Sequence, residues 1–489
     1  MGTKRFRIDE EMVNVLASVR EILDRNAVEG YLVGGFVRDT LMERDSGDVD
    51  IAVGANAMEL APRIADALRG KFVPLDEENQ IARVVLAKEG PVHLDLATMR
   101  GSIVDDLALR DFTIDAMAVS LGEIASPDAP VIDPFGGRRD LEMGVVRAIS
   151  EEAFRRDPAR LLRAPRLAAE CGFSLDDETR AQISRNHQLI GEVAGERVRD
   201  ELCRLLAVPH ATRWFRLLDE LGLLLAVFPE LAPTKGSEQP KEHYWDVFEH
   251  SIETVATVEF LLRIGKSDYF GDEILAVAPW SPSLKEHFES EVAGGHSRKI
   301  LLKLVALLHD IAKPHTKMFE ETGRMRFFGH SQEGAKLVWG IMDRLRFSAR
   351  EREMVSMMVE HHLRPGQLAR ESELPTPRAI YRYFRDTDEV GIDTIFLNLA
   401  DHLAARGPMM EFESWREHAE AMTFVLEERF SEESVVSPPK LISGHDLIDN
   451  FGMTPGPRVG ELLEAVREAQ AAGEIVTREE ALDFVRHRI

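Results

Sequence analysis

The stretch Leu32-Val33-Gly34-Gly35-Phe36-Val37-Arg38-Asp39 contains two adjacent glycines between two apolar segments. Residues 30–33 are predicted to form a short buried strand, and residues 36–43 a helix. Glycine lets the backbone approach a phosphate closely, and a helix N-terminus offers free N–H donors and a positive dipole end. Gly34, Gly35 and Arg38 are therefore predicted to bind a nucleotide, although a glycine pair before a helix is also a common turn.

Carboxylates follow on two further predicted strands, residues 49–53 and 92–97. Asp48 and Asp50 lie two residues apart, so both side chains point to the same face of a strand. Two adjacent anions repel unless a cation neutralises them, and Mg²⁺ is the usual cation. With Asp95 on the second strand, the three carboxylates suit a two-metal site for nucleotidyl transfer. Each aspartate taken singly would be a turn or solvated strand residue, but the ordered set predicts catalysis.

The composition is that of a globular protein of two to four domains, with 489 residues, 44% hydrophobic and 30% charged. No apolar run reaches the length of a membrane span and no signal segment precedes residue 10, so a cytoplasmic protein without membrane contact is expected. The net charge of −25 argues against a nucleic-acid partner. Five arginines between residues 155 and 166 keep that partner open, because phosphate binding requires only local positive potential.

The chain changes character at Ser150, after which helical spacing dominates. The clearest predicted helices cover residues 155–171, 179–189 and 197–206. Residues 266–296 are rich in glycine, proline, serine and acidic residues and are predicted to be a loop or an insertion. Residues 437–439, Ser-Pro-Pro, are a predicted linker before a small helical unit over residues 444–489.

Residues 32–52 resemble the first motif of class II tRNA nucleotidyltransferases and bacterial poly(A) polymerases, in which Gly-Gly-x-x-Arg-Asp precedes Asp-x-Asp. The resemblance continues through residue 206. It implies a nucleotidyltransferase head, a helical neck that holds the base, Mg²⁺ on Asp48 and Asp50, and an activating role for Asp95.

The segment from Arg110 to Asp115 is similar to the second motif of that family, which contacts the ribose and phosphates. Arg110 and Asp111 carry this expectation. Leu109 and Asp115 depart from the arginine and asparagine that are usual there, so neither is given a role.

The segment Asp157-Pro158-Ala159-Arg160 resembles the nucleotide-selecting motif of the family. Positions three apart on a helix share a face, so Asp157 and Arg160 are predicted to point the same way. A carboxylate can accept from the N4 amine of cytosine, and an arginine can donate to its O2 and N3. Arg163 and Arg166 are expected to bind the nucleotide as well. A surface ion pair is the alternative for each of these residues.

A second set of chemistry-bearing residues lies in the helical part. Imidazoles with carboxylates form transition-metal sites, and the set resembles the HD phosphohydrolase domain. The resemblance implies a divalent transition metal or Mg²⁺ on His250, His309, Asp310 and Asp401, with His330 and His361 as the extra ligands of two-metal members and His362 as a substitute. Such a site implies a phosphodiesterase or phosphatase acting on RNA ends, or a relic that only shapes the RNA-binding body.

Together these observations predict an α+β protein with four parts. A small mixed-sheet head (residues 1–149) would carry catalysis, followed by an elongated all-helical region. That region would comprise a nucleotide-selecting neck (150–208), a body with the HD-type metal site (209–436) and an RNA-contacting tail (437–489). The oligomeric state stays open.

The predicted function is template-independent addition of CMP, and of AMP as an open extension, from CTP and ATP to the 3′ end of tRNA. Only residues 101–109 separate Arg100 from the Arg110 motif, and family members that add just two cytidines resemble this chain in that shortened loop. Addition of CC is therefore expected. The alternatives are a full CCA-adding enzyme, an A-adding enzyme, a poly(A) polymerase, an HD phosphohydrolase with an inactive head, and a non-catalytic RNA-binding module.

Overall fold

A computed structural model describes residues 6–88, 90–124, 126, 129–368, 374–431, 436 and 438–489. Its elements up to residue 207 are α1 (Glu10–Arg25), β1 (Gly30–Val33), α2 (Gly34–Leu41), β2 (Asp48–Val53), α3 (Ala57–Leu68), β3 (Lys71–Asp76), β4 (Ile81–Lys88), β5 (Gly90–Thr98), α4 (Ile103–Leu107), β6 (Ala118–Ser120), β7 (Val131–Ile132), α5 (Gly137–Met143), β8 (Val145–Val146), α6 (Glu152–Arg156), α7 (Arg160–Cys171), β9 (Ser174–Leu175), α8 (Asp177–Asn186) and α9 (Gly195–Ala207).

The first part is built on a seven-stranded mixed sheet of strand order β3-β4-β5-β2-β1-β6-β7. β2 and β5 run parallel, and the other neighbouring pairs are antiparallel. Alternate residues of β2, namely Val49, Ile51 and Val53, are buried in one apolar core together with side chains of α1 and α3. The strand period of two therefore sends Asp48 and Asp50 to the opposite face. The predicted α+β class with a mixed-sheet head is confirmed.

The remaining elements are mainly helices: α10 (Ala211–Glu220), α11 (Leu223–Val227), α12 (Val247–Leu261), α13 (Asp272–Val277), α14 (Pro282–Glu289), β10 (Glu291–Ala293), β11 (His296–Ser297), α15 (Arg298–Leu308), β12 (Lys317–Phe319), β13 (Met325–Phe327), α16 (His330–Arg344), α17 (Ala349–His361), α18 (Arg364–Leu368), α19 (Pro377–Thr387), α20 (Gly391–Arg406), α21 (Phe412–Phe430), α22 (Gly444–Phe451), α23 (Pro457–Ala471) and α24 (Arg478–Arg486). Most residues of α12, α15 and α20 are buried, as expected of helices inside a helical core.

The chain forms two compact units, residues 1–193 with 220–226, and residues 194–219 with 227–489. The division into head, neck, body and tail stays a prediction. Residues 442–485 contribute to a separate apolar core around α22, α23 and α24, and Ser437 of the predicted linker lies outside the described residues. Within the described ranges, no helix combines the length and apolarity that crossing a bilayer would require.

Pro158 interrupts the helix predicted over residues 155–171. α6 ends at Arg156, Asp157 adopts an extended conformation (φ −142°, ψ 92°), and α7 begins at Arg160. Proline disfavours the helical conformation in the residue before it. Asp157 and Arg160 therefore do not share a helix as predicted. Their side chains are still close, with 3.8 Å between Asp157 Oδ2 and Arg160 Nε.

The loop predicted over residues 266–296 is also wrong. That segment carries α13, α14 and β10. Ser281 caps α14 by accepting a hydrogen bond from the backbone N–H of Leu284, and Pro282 occupies the first turn. Serine and proline are favoured at these positions of a helix, so the residues that suggested a loop are helix-start residues.

Candidate active site and metal centre

One face of the sheet brings the three predicted catalytic aspartates together on neighbouring strands. In the parallel pair β2–β5, Asp48 lies opposite His93, and Asp50 lies opposite Asp95. In the antiparallel pair β4–β5, Arg83 lies opposite Asp95. Residues directly opposite each other in a sheet point to the same side, so all five side chains share the face away from the large core.

Two of the three carboxylates are already engaged by protein groups. Arg83 donates to both oxygens of Asp95, from Nε to Oδ1 and from NH2 to Oδ2, each at 2.7 Å. His93 Nδ1 lies 2.8 Å from Asp48 Oδ1. Among the described residues, the potential ligand groups whose atoms all lie within 4.8 Å of one another do not include the set of Asp48, Asp50 and Asp95. The three carboxylates share a face but do not converge on one point.

Asp50 is the carboxylate that meets the glycine turn. Gly34 has a φ of +65°, and a Cβ added there would lie 2.8 Å from Asp50 Oδ2, so only glycine fits this approach. Burial raises the pKa of Asp50 to about 6; Arg110 and a backbone hydrogen bond from Gly35 oppose this rise, and Asp95 adds to it. Carboxylate oxygens are the ligands that Mg²⁺ prefers, so the donor set of this face fits the ion.

Arg38 faces acidic protein groups. Its guanidinium donates to both oxygens of Asp39 at 2.9 Å and to Asp115 Oδ1 at 2.6 Å. The Arg38 side chain is only 13% exposed, so the predicted contact with phosphate would need these pairs to rearrange. Asp115, to which the sequence assigned no role, is the buried partner of Arg38.

The second motif and the neck arginines meet at Asp111. Arg163 NH1 donates to Asp111 Oδ2 at 3.0 Å, and Arg160 Nε lies 3.9 Å from the same oxygen. Arg110 NH2 pairs with Asp106 at 3.1 Å. The remaining predicted nucleotide ligand, Arg166, is 6% exposed and pairs with Glu170. Asp111, Arg160 and Arg163 are thus brought together, whereas Arg166 is committed to a buried ion pair.

Histidines and carboxylates from three helices form a second, buried cluster. His250 Nε2 of α12 lies 3.0 Å from Asp401 Oδ1 of α20 and 3.4 Å from Asp310 Oδ2. His309 Nε2, at the end of α15, lies 3.2 Å from Asp310 Oδ2 and 3.3 Å from His250 Nε2. These are the four core residues predicted from the sequence.

The cluster continues on the other oxygen of Asp310. His330 Nε2 lies 3.4 Å and His362 Nε2 3.7 Å from Asp310 Oδ1, and the two imidazole nitrogens are 3.4 Å apart. His361, the predicted ligand, is replaced here by its neighbour His362. Adjacent helical residues point about 100° apart, so only one of the two can face the cluster.

The imidazoles are oriented for metal binding. Nδ1 of His309, His330 and His362 lies 2.7–2.9 Å from the backbone oxygens of Ala306, Phe327 and Val359, respectively. Such contacts place the proton on Nδ1 and leave Nε2 as the ligand atom. Asp310 therefore stands between two triads, His250–His309–Asp310 and Asp310–His330–His362, each with ligand atoms within 4.8 Å. This donor set fits two transition-metal ions bridged by one carboxylate.

A cavity of about 650 Å³ opens on this cluster. Its walls include the metal-ligand candidates Asp310, His330, His362 and Asp401, and the cations Lys313, Arg324, Arg326 and Arg406. Its volume lies within the range of about 300–1,000 Å³ that small-molecule sites occupy. The arrangement can hold a phosphate ester beside two metal positions.

Four family profiles match the chain along most of its length. They are the poly A polymerase head domain at residues 30–147, a probable RNA and SrmB-binding site of polymerase A at 172–235, the HD domain at 247–406, and a putative tRNA nucleotidyltransferase domain 2 at 411–485.

Relatives match over nearly the whole length. An A-adding tRNA nucleotidyltransferase of Deinococcus radiodurans is 35% identical over 467 residues, which cover 93% of this chain and 94% of that protein. The chain belongs to the class II tRNA nucleotidyltransferase family. A CC-adding member from Thermus thermophilus is 31% identical, with 94% and 93% covered. A CCA-adding enzyme of Thermotoga maritima, solved in complex with tRNA, shares the fold at a TM-score of 0.64 with 22% identity, covering 99% of this chain and 97% of that one.

In this tRNA nucleotidyltransferase, sequence reasoning missed two partners of the catalytic face, Arg83 and His93. β4 was not predicted, although Ala82, Val84 and Leu86 are apolar alternate positions. That alternation was the available signal, because it places Arg83 on the polar face. Which cross-strand residue it meets depends on the register between β4 and β5, which the residues alone do not specify.

Proposed function

We propose that the chain adds cytidylate residues from CTP to the 3′ end of tRNA, without a template. The observation that carries this proposal is the sheet face on which Asp48, Asp50 and Asp95 lie on adjacent parallel strands beside the Gly34 turn. The A-adding and CC-adding relatives, similar over more than 90% of their length, support tRNA as the acceptor.

Each part of the face has a chemical task in this proposal. Mg²⁺ held by Asp48 and Asp50 would neutralise charge on the triphosphate and on the leaving pyrophosphate. Arg110, whose NH1 lies 3.3 Å from a Cβ built on Gly34, adds positive charge for the phosphates. Asp95 can accept a hydrogen bond from the attacking 3′-hydroxyl, since an ionised carboxylate offers about four acceptor positions and Arg83 uses two.

The neck supplies base selection in this proposal. Asp157 and Arg160 can pair with the Watson–Crick edge of cytosine, one accepting and the other donating. The helical body and the tail over residues 437–489 are assigned the contacts with the tRNA backbone, which shape and phosphate recognition can provide without sequence readout.

The compact connection between β5 and the second motif supports CC addition. Ser102 and Asp105 form a reciprocal cap at the start of α4, and Leu107 is fully buried. Arg100 NH2 donates to Asn79 at 2.8 Å. Residues 99–110 are therefore held by their own contacts and leave little chain for a mobile lever that would reorient the pocket for ATP.

The decisive experiment is product length on two tRNA substrates, one ending at the discriminator base and one ending in CC, each with CTP and ATP together. Extension of the first by two cytidines, and none of the second, supports the proposal. Extension by three residues ending in A would make it a CCA-adding enzyme. Addition of a single A to the second substrate only would make it A-adding, like the Deinococcus relative. Long A tails would make it a poly(A) polymerase.

A second activity, hydrolysis of phosphate esters, is supported by the Asp310-centred cluster and its cavity. Two metal positions bridged by a carboxylate suit activation of water beside a phosphate. Substrates for the test are RNA oligonucleotides with 3′-phosphate or 2′,3′-cyclic phosphate ends, supplied with Mn²⁺ or Ni²⁺. Asp310→Ala should remove the activity and spare nucleotide addition, and Asp50→Ala should do the reverse. Loss of both activities in one folded variant would contradict two independent sites.

A further inference from the structure

Arg83 stands at the end of a row of charges that crosses three strands. It lies opposite Asp95 in the antiparallel pair β4–β5, and Asp95 lies opposite Asp50 in the parallel pair β2–β5. The row therefore reads cation, anion, anion across the sheet. Nothing in the proposed binding of nucleotide or metal accounts for a cation at this position.

The contact between Arg83 and Asp95 is bidentate. Nε and NH2 of the guanidinium donate to Oδ1 and Oδ2 at 2.7 Å each, so the plane of the carboxylate is fixed by the plane of the fork. The same NH2 lies 3.9 Å from Asp48 Oδ1. The Arg83 side chain is 30% exposed, and that of Asp95 18%. Arg83 thus determines the orientation of Asp95 and lowers the negative charge of the face as a whole.

This contact separates the three carboxylates into two groups. Asp48 and Asp50 make no bidentate pair with an arginine among the described residues, and remain available to a divalent ion. Asp95 is neutralised by the protein. Two of its acceptor positions are taken by Arg83, and the others stay open to a hydroxyl group.

We propose that Arg83 is a positioning residue that withholds Asp95 from the metal and aims it at the 3′-hydroxyl of the RNA. The inference rests on the proposed nucleotide addition. It has a consequence of unusual sign, because loss of Arg83 should tighten metal binding while it slows the reaction. The metal gains Asp95 as a third ligand, and the hydroxyl loses its oriented acceptor.

The experiment compares Arg83→Gln and Arg83→Lys with the unaltered full-length chain. Mn²⁺ binding is followed by electron paramagnetic resonance, and the share bound at the sheet face is the share that an Asp50→Ala variant loses. Arg83→Gln should bind this Mn²⁺ about tenfold more tightly, or about 1.4 kcal/mol. Its kcat for CMP addition should fall at least about tenfold, the usual size of a lost positioning contact, with an unchanged KM for CTP.

Arg83→Lys keeps the charge and loses the fork, so its kcat should fall while its Mn²⁺ affinity stays near that of the unaltered chain. Arg63→Gln is the matched control, since Arg63 lies on α3 and donates to Asn26, away from the carboxylates. Retained Mn²⁺ binding at the Asp310 cluster shows that each variant is folded.

Unchanged or weaker Mn²⁺ binding in Arg83→Gln overturns the inference, whatever happens to turnover, and so does an unchanged kcat. Failure of the proposed function is a separate result. If the unaltered chain extends no tRNA, the addition of nucleotides is refuted, and the Mn²⁺ comparison still decides whether Arg83 withholds Asp95 from the ion.

Discussion

Arg163 donates a hydrogen bond of 3.0 Å to Asp111, a residue 52 positions earlier in the chain. Asp111 is 8% exposed, and the same oxygen lies 3.9 Å from Arg160 Nε. One buried carboxylate therefore holds two arginines that follow the Asp157 turn next to the segment that begins at Arg110. Base selection and phosphate binding are joined through this pair.

Removing either partner of the Arg163–Asp111 pair should raise the KM for CTP. A hydrogen bond to a charged group contributes about 1.5–3 kcal/mol, so Asp111→Asn and Arg163→Gln should each cost about tenfold or more. Because both variants break one contact, the double variant should be no worse than the poorer single one. Steady-state CMP addition measures this cycle. Arg155→Gln is the control, since Arg155 is 57% exposed and pairs with Glu151 on its own helix. Multiplicative losses would show that the pair does not act as a unit.

Asp48→Ala and Asp50→Ala should each abolish nucleotide addition and leave tRNA binding intact. Both remove an oxygen ligand from the only charge-stabilising ion in the proposed reaction, and losses of this kind exceed about a hundredfold. Single-turnover extension and a filter-binding assay measure the two properties. A variant that keeps more than about a hundredth of the rate would rule out a ligand role for that aspartate.

The sequence was sufficient where one local pattern determines one structure. The alternation Val49, Ile51 and Val53 predicted the strand and the face of the two aspartates, and the structure has both. The pattern could not specify pairing across the sheet. Asp48 and Asp50 share a strand and could be grouped, whereas their neighbours Arg83 and His93 follow from strand order and register.

Helix boundaries in the neck show a second limit. Arg155 to Cys171 has helical spacing throughout, and the spacing does not register that Pro158 forces Asp157 into an extended conformation. The choice between His361 and His362 is a similar case. Two adjacent histidines are equivalent in a motif, and only the rotation of α17 decides which one meets Asp310.

Metal binding at the sheet face should weaken in acid. Burial raises the pKa of Asp50 to about 6, above the usual 3.8 of an aspartate, so the folded metal-free chain keeps this proton up to about pH 6. A metal must displace the proton below that pH, and affinity should fall about tenfold per pH unit there. Mn²⁺ titrations between pH 5 and 8 measure it, and a flat profile from pH 5 to 7 would contradict it.

The same shift predicts the stability of a variant. A raised folded-state pKa means that ionised Asp50 destabilises the metal-free fold at pH 7.5, and that the penalty shrinks as pH falls through about 6. Asp50→Asn, measured without metal, should therefore raise the melting temperature at pH 7.5 and raise it less at pH 5. An equal gain at both pH values would refute the assignment of the shift to Asp50.

His362, and not His361, should bind metal at the Asp310 cluster. His362 Nε2 lies 3.7 Å from Asp310 Oδ1 and 3.4 Å from His330 Nε2, and burial together with His309 and His330 lowers its pKa to about 3, which keeps the imidazole neutral. His361 is half-buried. Its lowered pKa is due mainly to burial, and the charges that act on it are those of Glu360, Arg364 and Asp386.

The two histidines are neighbours in one chain segment, so His361→Ala and His362→Ala form a matched pair. Ni²⁺ favours imidazole over the carboxylates of the sheet face, and its binding by calorimetry should report this cluster. His362→Ala should lose one of two bound ions, because the triad Asp310–His330–His362 keeps only two ligands, whereas His361→Ala should keep both. The reverse result would mean that α17 is rotated by about one residue, or 100°, relative to the described structure. Equal retention in both variants would mean that the second triad holds no ion.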